Sequence, residues 1–457
     1  MSKHNNDQAQ MPHSKTSWRH IWSISWPIFV ANVTVPLVGA VDTAVMGRLP
    51  DPAYIGGVAL GTLIFNFLYF GLGFLRMGST GLVAQAHGRK DESEIENLLI
   101  RGVLIALIIG VIVVLAKPAI HWITGQLLTT SDKVGGLMFQ YIDIRLYAAP
   151  AALANMVLLG CLFGRQQMQL CMWQIIVVNV LNLVLNIVFV VGLGMKIEGV
   201  ALASVIAQWL GLAFSLALIG WSWRAMLRGI MGRLLARHPR WFNLRAFAQF
   251  FQLGFDLILR TLILLGCEAI FLNNAAALGD LHLAIAQLVM VVFGIIAFGL
   301  DGYAHAAEAL VGDAMGQRDR DMLRTVINRT NVMAFASALV LSLIIWVGRV
   351  PIIGLLTNQP DLIAATLEHW HWVAVLPLAS ALAFQMDGVF VGAIRSRDMR
   401  NAMIVSGVFF IVLVYFMGAY GLAGLLAAFT LTLGMRGLTL WFLLPRIFQM
   451  ASKAGSN

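Results

Sequence analysis

Long apolar runs recur along almost the whole chain, each close to the roughly 20 residues that a helix needs to cross a bilayer core of about 30 Å. About twelve segments qualify, near 21–48, 54–86, 96–116, 137–163, 170–193, 197–222, 249–278, 282–312, 326–347, 364–394, 401–419 and 422–445. Inside lipid no water satisfies a backbone N–H or C=O, so spanning segments of this length are helices, and Pro27 and Pro36 in the first are tolerated there. Composition agrees: 59% of residues are hydrophobic and 12% charged, where a soluble domain carries about a quarter charged. The reading is an all-α polytopic membrane protein with twelve transmembrane helices. The N-terminus is polar with no short apolar region and cleavage site ahead of the first run, so that run is expected to be retained as a helix.

The net charge of +9 does not point to nucleic acid, because the basic residues sit in the breaks between apolar runs. One set of breaks holds Arg89 and Lys90, Arg165, the six arginines of 223–248, then Arg318, Arg320, Arg324 and Arg329, then Arg395, Arg397 and Arg400; the other set holds Arg48, Lys117, Lys133, Lys196 and Arg349. The asymmetry predicts a multi-pass protein of a bacterial-type inner (cytoplasmic) membrane with both termini cytoplasmic. The expected organisation is a tail 1–20, an N-lobe 21–222, a basic linker 223–248, a C-lobe 249–445 and a tail 446–457. The linker mixes arginine with Leu, Met, Trp and Phe, the pattern of a helix resting on anionic lipid. Cys161, Cys171 and Cys267 all lie within apolar runs and suggest neither a disulfide frame nor a metal site. No HExxH or GxSxG segment supports an enzyme.

An internal repeat ties the two halves together. AQAHGRKD (84–91) and GDAMGQRD (312–319) each leave the membrane into a charged loop. Pro150, Gly160, Gly164 and Arg165 have counterparts in Pro377, Gly388, Gly392 and Arg395, with one residue of difference in spacing. Two parallel, pseudo-symmetric six-helix lobes follow, an organisation in which the substrate binds between repeats that rock to alternate access.

Charged side chains within the runs are costly, roughly 3 kcal/mol each, and so mark function. They are Asp42, Arg76, Asp143, Arg145, Asp256, Arg260, Glu268, Asp301, Glu308 and Asp387. Asp42 sits among small residues in VGAVDTAVMG, where poor hydration favours a proton-binding carboxyl. Asn179, Asn182 and Asn186 recur at three- and four-residue spacing on one helix face, either as interhelical glue or as cavity lining. Asn155 and Ser204 are expected to complete an oxygen cluster with Asp42. Glu268, Asp301, Glu308 and Asp387 cannot all stay ionised together, and Arg260 or Arg76 is expected to neutralise one. The expected cation-coupling residues are therefore Asp42, Asn155, Asn182, Asn186, Ser204, Glu268, Asp301 and Asp387. Substrate contacts are expected at Asp42, Glu268, Asp301 and Asp387. No cofactor and no metal are expected; the coupling ion is read as H+, with Na+ at Asp42 and Asn182 as the alternative. The 21 methionines are read as membrane-helix filler rather than as an adaptable pocket.

Over nearly its whole length the chain resembles the multidrug and toxic compound extrusion (MATE) family, and within it the DinF-like branch. The stretches that carry the resemblance are ANVTVPLVGAVDTAVMGRL (31–49), FLRMGSTGLVAQAHG (74–88), AAPAALANMVLLG (148–160), NVLNLVLN (179–186), LDGYAHAAEALVGDAMGQRD (300–319) and MDGVFVGAIRSRDMRN (386–401). The resemblance implies a V-shaped twelve-helix fold and export of small organic, often cationic compounds in exchange for protons or sodium. It places the family's first-helix aspartate on Asp42, its fourth-helix asparagine on Asn155 and its fifth-helix asparagine on Asn182. Asn186 stands where DinF-like proteins usually have an acid, a departure that thins any two-carboxylate site in the N-lobe. Glu268 and Asp387 resemble the acidic pair of NorM-like and plant members. Small organic cations and membrane lipids are the expected partners, and a monomer the expected state. The competing reading is a flippase for a lipid-linked precursor, which a cationic central cavity would favour.

Overall fold

The computed structural model of the chain describes residues 16–47, 51–128, 130–223 and 244–453, with the side chains at 36, 37, 40–44, 244–249, 452 and 453 left aside. Every regular element among the described residues is helical. The α-helices are α1 Trp18–Met46, α2 Ala53–Leu72, α3 Phe74–Gly88, α4 Glu92–Leu115, α5 Lys117–Leu127, α6 Asp132–Arg145, α7 Ala149–Gly164 and α8 Met168–Asn186. They continue with α9 Ile197–Ser222, α10 Leu244–Ala277, α11 Asp280–Gln317, α12 Arg320–Val347, α13 Arg349–Leu356, α14 Pro360–Gly392, α15 Ser396–Met417 and α16 Gly421–Lys453.

Among the described residues, nine stretches are long and apolar enough to cross a membrane. One of them, Ser396–Ala451, holds both α15 and α16. With α1 and α10, twelve spans result. The second is broken at Gly73 into α2 and α3, and the fourth passes through a 3-10 turn, Leu146–Ala148, between α6 and α7. Two elements had no counterpart in the reading of the sequence. α5 and α13 follow the third and ninth spans, and at about 1.5 Å per residue they are too short to cross.

Grouped by contacts, the chain forms two compact units, Met1–Phe29 with Phe255–Asn457, and Val30–Gly254. They are called here the C-terminal and N-terminal units. α1 and α10 each contribute their first part to one unit and the remainder to the other. Within the C-terminal unit, Phe29 of α1 meets Tyr303 of α11 edge-on at 5.0 Å. Within the N-terminal unit, Phe250 of α10 meets Phe74 of α3 at 6.1 Å. The C-terminal core gathers around Phe271, Phe293 and Phe429 with Trp370, the N-terminal core around Phe65 and Tyr141.

The repeat is visible in backbone detail. Among the described residues, four that are not glycine adopt the left-handed conformation: Lys90 and Arg318, and Gln166 and Ile394. In both pairs the second member lies 228 positions after the first, as 318 is from 90 and 394 from 166. Each closes a helix end in the way glycine usually does. One position beyond the first pair, Asp91 accepts a hydrogen bond from the Glu94 N–H at 3.0 Å and Asp319 one from the Met322 N–H at 2.8 Å, so both loops end by capping the next helix. Helix contact repeats likewise. A Cβ on Gly160 would lie 2.4 Å from the Arg76 carbonyl oxygen, and one on Gly388 would lie 2.2 Å from that of Ala304, again with both members displaced by the same interval. At these points α7 meets α3 and α14 meets α11 backbone to backbone, which only glycine permits.

Candidate coupling sites

In the N-terminal unit the polar stripe on α8 is spent between helices. Asn179 donates from Nδ2 to Thr34 Oγ1 of α1 at 2.7 Å, and Asn182 from Nδ2 to Ser204 Oγ of α9 at 3.0 Å. Asn186 donates to Asn182 Oδ1 at 3.2 Å. Immediately after Asn186 the helix widens into a π turn, Ile187–Gly192, a distortion that often marks functional positions. Tyr69, Arg145, Asn179, Asn182, Ser204 and Gln208 line a cavity of about 140 Å³. Among the described residues its lining is neutral apart from Arg145. That guanidinium donates to Thr62 Oγ1 at 3.2 Å and to the Tyr141 hydroxyl, and it lies over the Phe65 ring at 4.8 Å.

Asn155 belongs to a second network rather than joining Asn182 and Ser204. Its Nδ2 donates to the Gln208 carbonyl at 2.9 Å and to Gln208 Oε1 at 3.1 Å, while its Oδ1 accepts from Ser215 Oγ at 3.3 Å. It thus bridges α7 to α9. The side chain of Asp42 lies outside the described residues.

In the C-terminal unit the charges converge. Asp387 of α14 is buried, and its Oδ2 accepts from both Arg260 of α10 and Arg436 of α16. Asp387 Oδ1 has no hydrogen-bond partner among the described residues. Glu268 and Asp301 lie close enough to act electrostatically on Arg436, and Asp301 and Glu308 on Arg260. Glu308 is buried, with Oε1 3.4 Å from His305 Nδ1. Four carboxyl groups therefore gather around two guanidinium groups. Asp387 hydrogen-bonds both arginines, while Glu268, Asp301 and Glu308 act on one or both of them electrostatically. Arg76 sits in the N-terminal unit, over the Phe163 ring at 5.6 Å.

The remaining acids singled out in the sequence are held by partners elsewhere. Asp256 accepts from Ser396 Oγ at 2.9 Å and Arg400 at 2.6 Å. Asp143 bonds His121 Nε2 at 2.7 Å and Lys117 Nζ at 2.9 Å. Sequence reading passed over Arg436 and Gln208. Arg436 was open to the same rule as the others, since it stands alone among apolar residues in LTLGMRGLTL.

A duplicated bundle of twelve spans, with a polar cavity in one unit and a buried charge cluster in the other, has the architecture of a membrane transporter. The chain belongs to the MatE family, whose sequence profile matches residues 27–188 and 257–443. It is 35% identical over 425 residues to DNA damage-inducible protein F of Escherichia coli (strain K12), covering 93% of this chain and 91% of that protein. To a probable multidrug resistance protein NorM of Neisseria meningitidis serogroup B it is 25% identical, covering 92% and 89%. Among solved structures, an outward-facing multidrug resistance MATE family transporter of the MOP superfamily superposes with a TM-score of 0.83 at 19% identity, over 95% of this chain and 96% of that one. A MATE in the bent conformation gives 0.81 at 19%, over 96% of each. These likenesses establish the fold.

Proposed function

We propose that this transporter exports small organic, cationic compounds across the cytoplasmic membrane in exchange for protons, and that the C-terminal unit carries the coupling. The observation that supports this most is the surplus of carboxyl groups around Arg260 and Arg436. Carboxyl groups gathered in a weakly hydrated interior cannot all ionise, so protons bind there. A proton and an organic cation are then alternative ways of neutralising the same charge. Binding one expels the other, which is the thermodynamic content of antiport.

In this reading Glu268 and Asp301 exchange protons for substrate, and Asp387 is the fixed element that orients both arginines. Asn182 and Ser204 supply neutral lining in the N-terminal unit, with Asn186 bonded to Asn182 and Asn155 to Gln208 beside them, and Asp42 adds a carboxyl to the same part of the chain. Two lobes, 21–222 and 249–445, joined by the basic segment 223–248, alternate access around the sites; residues 224–243 lie outside the described part. Both termini are cytoplasmic by the distribution of arginine and lysine. The likeness to multidrug resistance proteins favours small organic compounds as the substrate class.

A lipid-linked precursor is the competing cargo, and Arg145 would be its cationic contact in the N-terminal cavity. That group is already engaged by Thr62, Tyr141 and Phe65, which counts against it. The direct test is efflux of a fluorescent cationic dye from proteoliposomes under an imposed pH gradient, an imposed sodium gradient, or neither. Efflux under the pH gradient alone is expected. Efflux that follows sodium would replace the ion, and a dye that moves under no gradient would refute the export reading.

A further inference from the structure

Asn331 on α12 and Gln385 on α14, both in the C-terminal unit, have all four of their side-chain polar atoms without a hydrogen-bond partner among the described residues. They are 7% and 1% exposed, so surface solvent does not serve them. Buried amides are ordinarily satisfied by protein or by ordered water, and two such groups on neighbouring helices call for a common cause.

Two observations place them at one contact. Ser342 donates to the Ala374 carbonyl, and Trp370 Nε1 donates to the Ile345 carbonyl at 2.8 Å, which sets α12 and α14 antiparallel with Ser342 opposite Ala374. Asn331 lies eleven residues before Ser342, and Gln385 eleven after Ala374. Eleven residues are about three full turns, so both amides stand at matching heights on the faces that meet. The repeat gives the same placement. In the N-terminal unit a Cβ on Gly102 of α4 would lie 2.6 Å from a methyl of Val157 of α7. The interval that carries 90 to 318 carries Gly102 to Thr330, the neighbour of Asn331, and carries Val157 to Gln385. One repeat closes this contact with apolar groups, and the other lines it with amides.

We propose that the α12–α14 contact is a site for bound water, held between Asn331 and Gln385 within the membrane-spanning part of the C-terminal unit. Two amide NH₂ groups and two amide oxygens offer both donors and acceptors, which suits water and its usual three or so hydrogen bonds in buried sites. Two amide oxygens are fewer than the six or more that a hard cation such as calcium takes. The site lies two residues along α14 from Asp387, so it keeps bound water beside the helix segment that carries the charge cluster.

The test is solid-state NMR on the full-length protein in lipid, reading magnetisation transfer from water to side-chain amide protons. The Gln385 signal is identified by its loss in Gln385→Met and the Asn331 signal by its loss in Asn331→Leu. Transfer to both amides of the parent protein is expected. Each single variant should also melt at a lower temperature than the parent, because it strips the water of one partner and leaves the other amide unmet; the double variant should recover part of the loss. No transfer to either amide, or a higher melting temperature in either single variant, would show a dry contact and overturn the site. A melting temperature raised by sodium but not potassium in the parent, and by neither in the double variant, would assign the site to a cation and overturn it equally.

Discussion

Asp387 and Glu268 are both acids within the membrane, yet the structure gives them opposite duties. Asp387 holds two arginines by one oxygen, so removing its charge takes away the carboxylate that hydrogen-bonds both guanidinium groups in a poorly hydrated interior. Breaking such a buried arrangement costs about 3–5 kcal/mol, and Asp387→Asn is expected to lower thermal stability by that order. Glu268 belongs to the acid surplus, and Glu268→Gln is expected to leave stability within about 1 kcal/mol of the parent, since it removes one of several like charges gathered in the same interior. Differential scanning fluorimetry in detergent compares the two directly. A Glu268→Gln protein as damaged as Asp387→Asn would mean that Glu268 is structural. The sequence displayed these acids but not their partners. Arg260 is 127 positions from Asp387, and Arg436 is 49. Asn155 and Gln208 are 53 apart. Periodicity reports which side chains share a face of one helix, and it is silent about which faces of distant helices meet. The grouping of Asn155 with Ser204 and Asp42 was drawn from helix membership, and the amide in fact turns toward Gln208.

At the scale of elements, the approach of α14 to α11 depends on Gly388. A methyl group there meets the Ala304 backbone oxygen, which no side-chain rotation relieves, and Gly388→Ala is expected to cost roughly 1–3 kcal/mol. Gly434, also on a helix of this unit, has open space around its Cβ position, and Gly434→Ala should leave the melting temperature unchanged or higher. Equal losses in both variants would contradict the packing account. A second expectation concerns the loop before α2. Lys133, and then the Ala53 N–H, hold the Asp51 carboxyl below the usual value of 3.8. A lowered value in the folded protein means that this contact stabilises above the unfolded aspartate value and is lost as pH falls through the folded one. The contribution is small, because the pair is exposed and screened by salt. Carbon NMR of the Asp51 carboxyl should show a titration midpoint below 3.8, returning toward it in Lys133→Met; a midpoint at or above it in the parent would contradict the contact.

The twelve spans were legible because crossing lipid demands length and apolarity that nothing else in a sequence imitates. The break at Gly73, the π turn after Asn186 and the short helices α5 and α13 were not, since each is a local departure within or beside an apolar run. The repeat was legible for a physical reason. AQAHGRKD and GDAMGQRD keep polar residues because Asp91 and Asp319 must cap the helices that follow, and those residues stand out against interchangeable aliphatic ones.

On the scale of the whole molecule, the repeated architecture is symmetric while its chemistry is not. The cavity of the N-terminal unit is lined by amides and hydroxyls with one engaged arginine. The C-terminal unit gathers four acids against two arginines. In the reading proposed above, proton coupling is assigned to the C-terminal unit, where these groups gather. The most direct test is proton flux recorded alongside dye efflux in proteoliposomes, comparing the parent with Glu268→Gln, Asp301→Asn and Asp42→Asn. Gradient-driven efflux and its accompanying proton flux should fall at least about tenfold, a loss of roughly 1.4 kcal/mol or more in coupling, in Glu268→Gln or Asp301→Asn and persist in Asp42→Asn. Loss of proton-driven efflux in Asp42→Asn, with both C-terminal variants still coupled, would contradict the account.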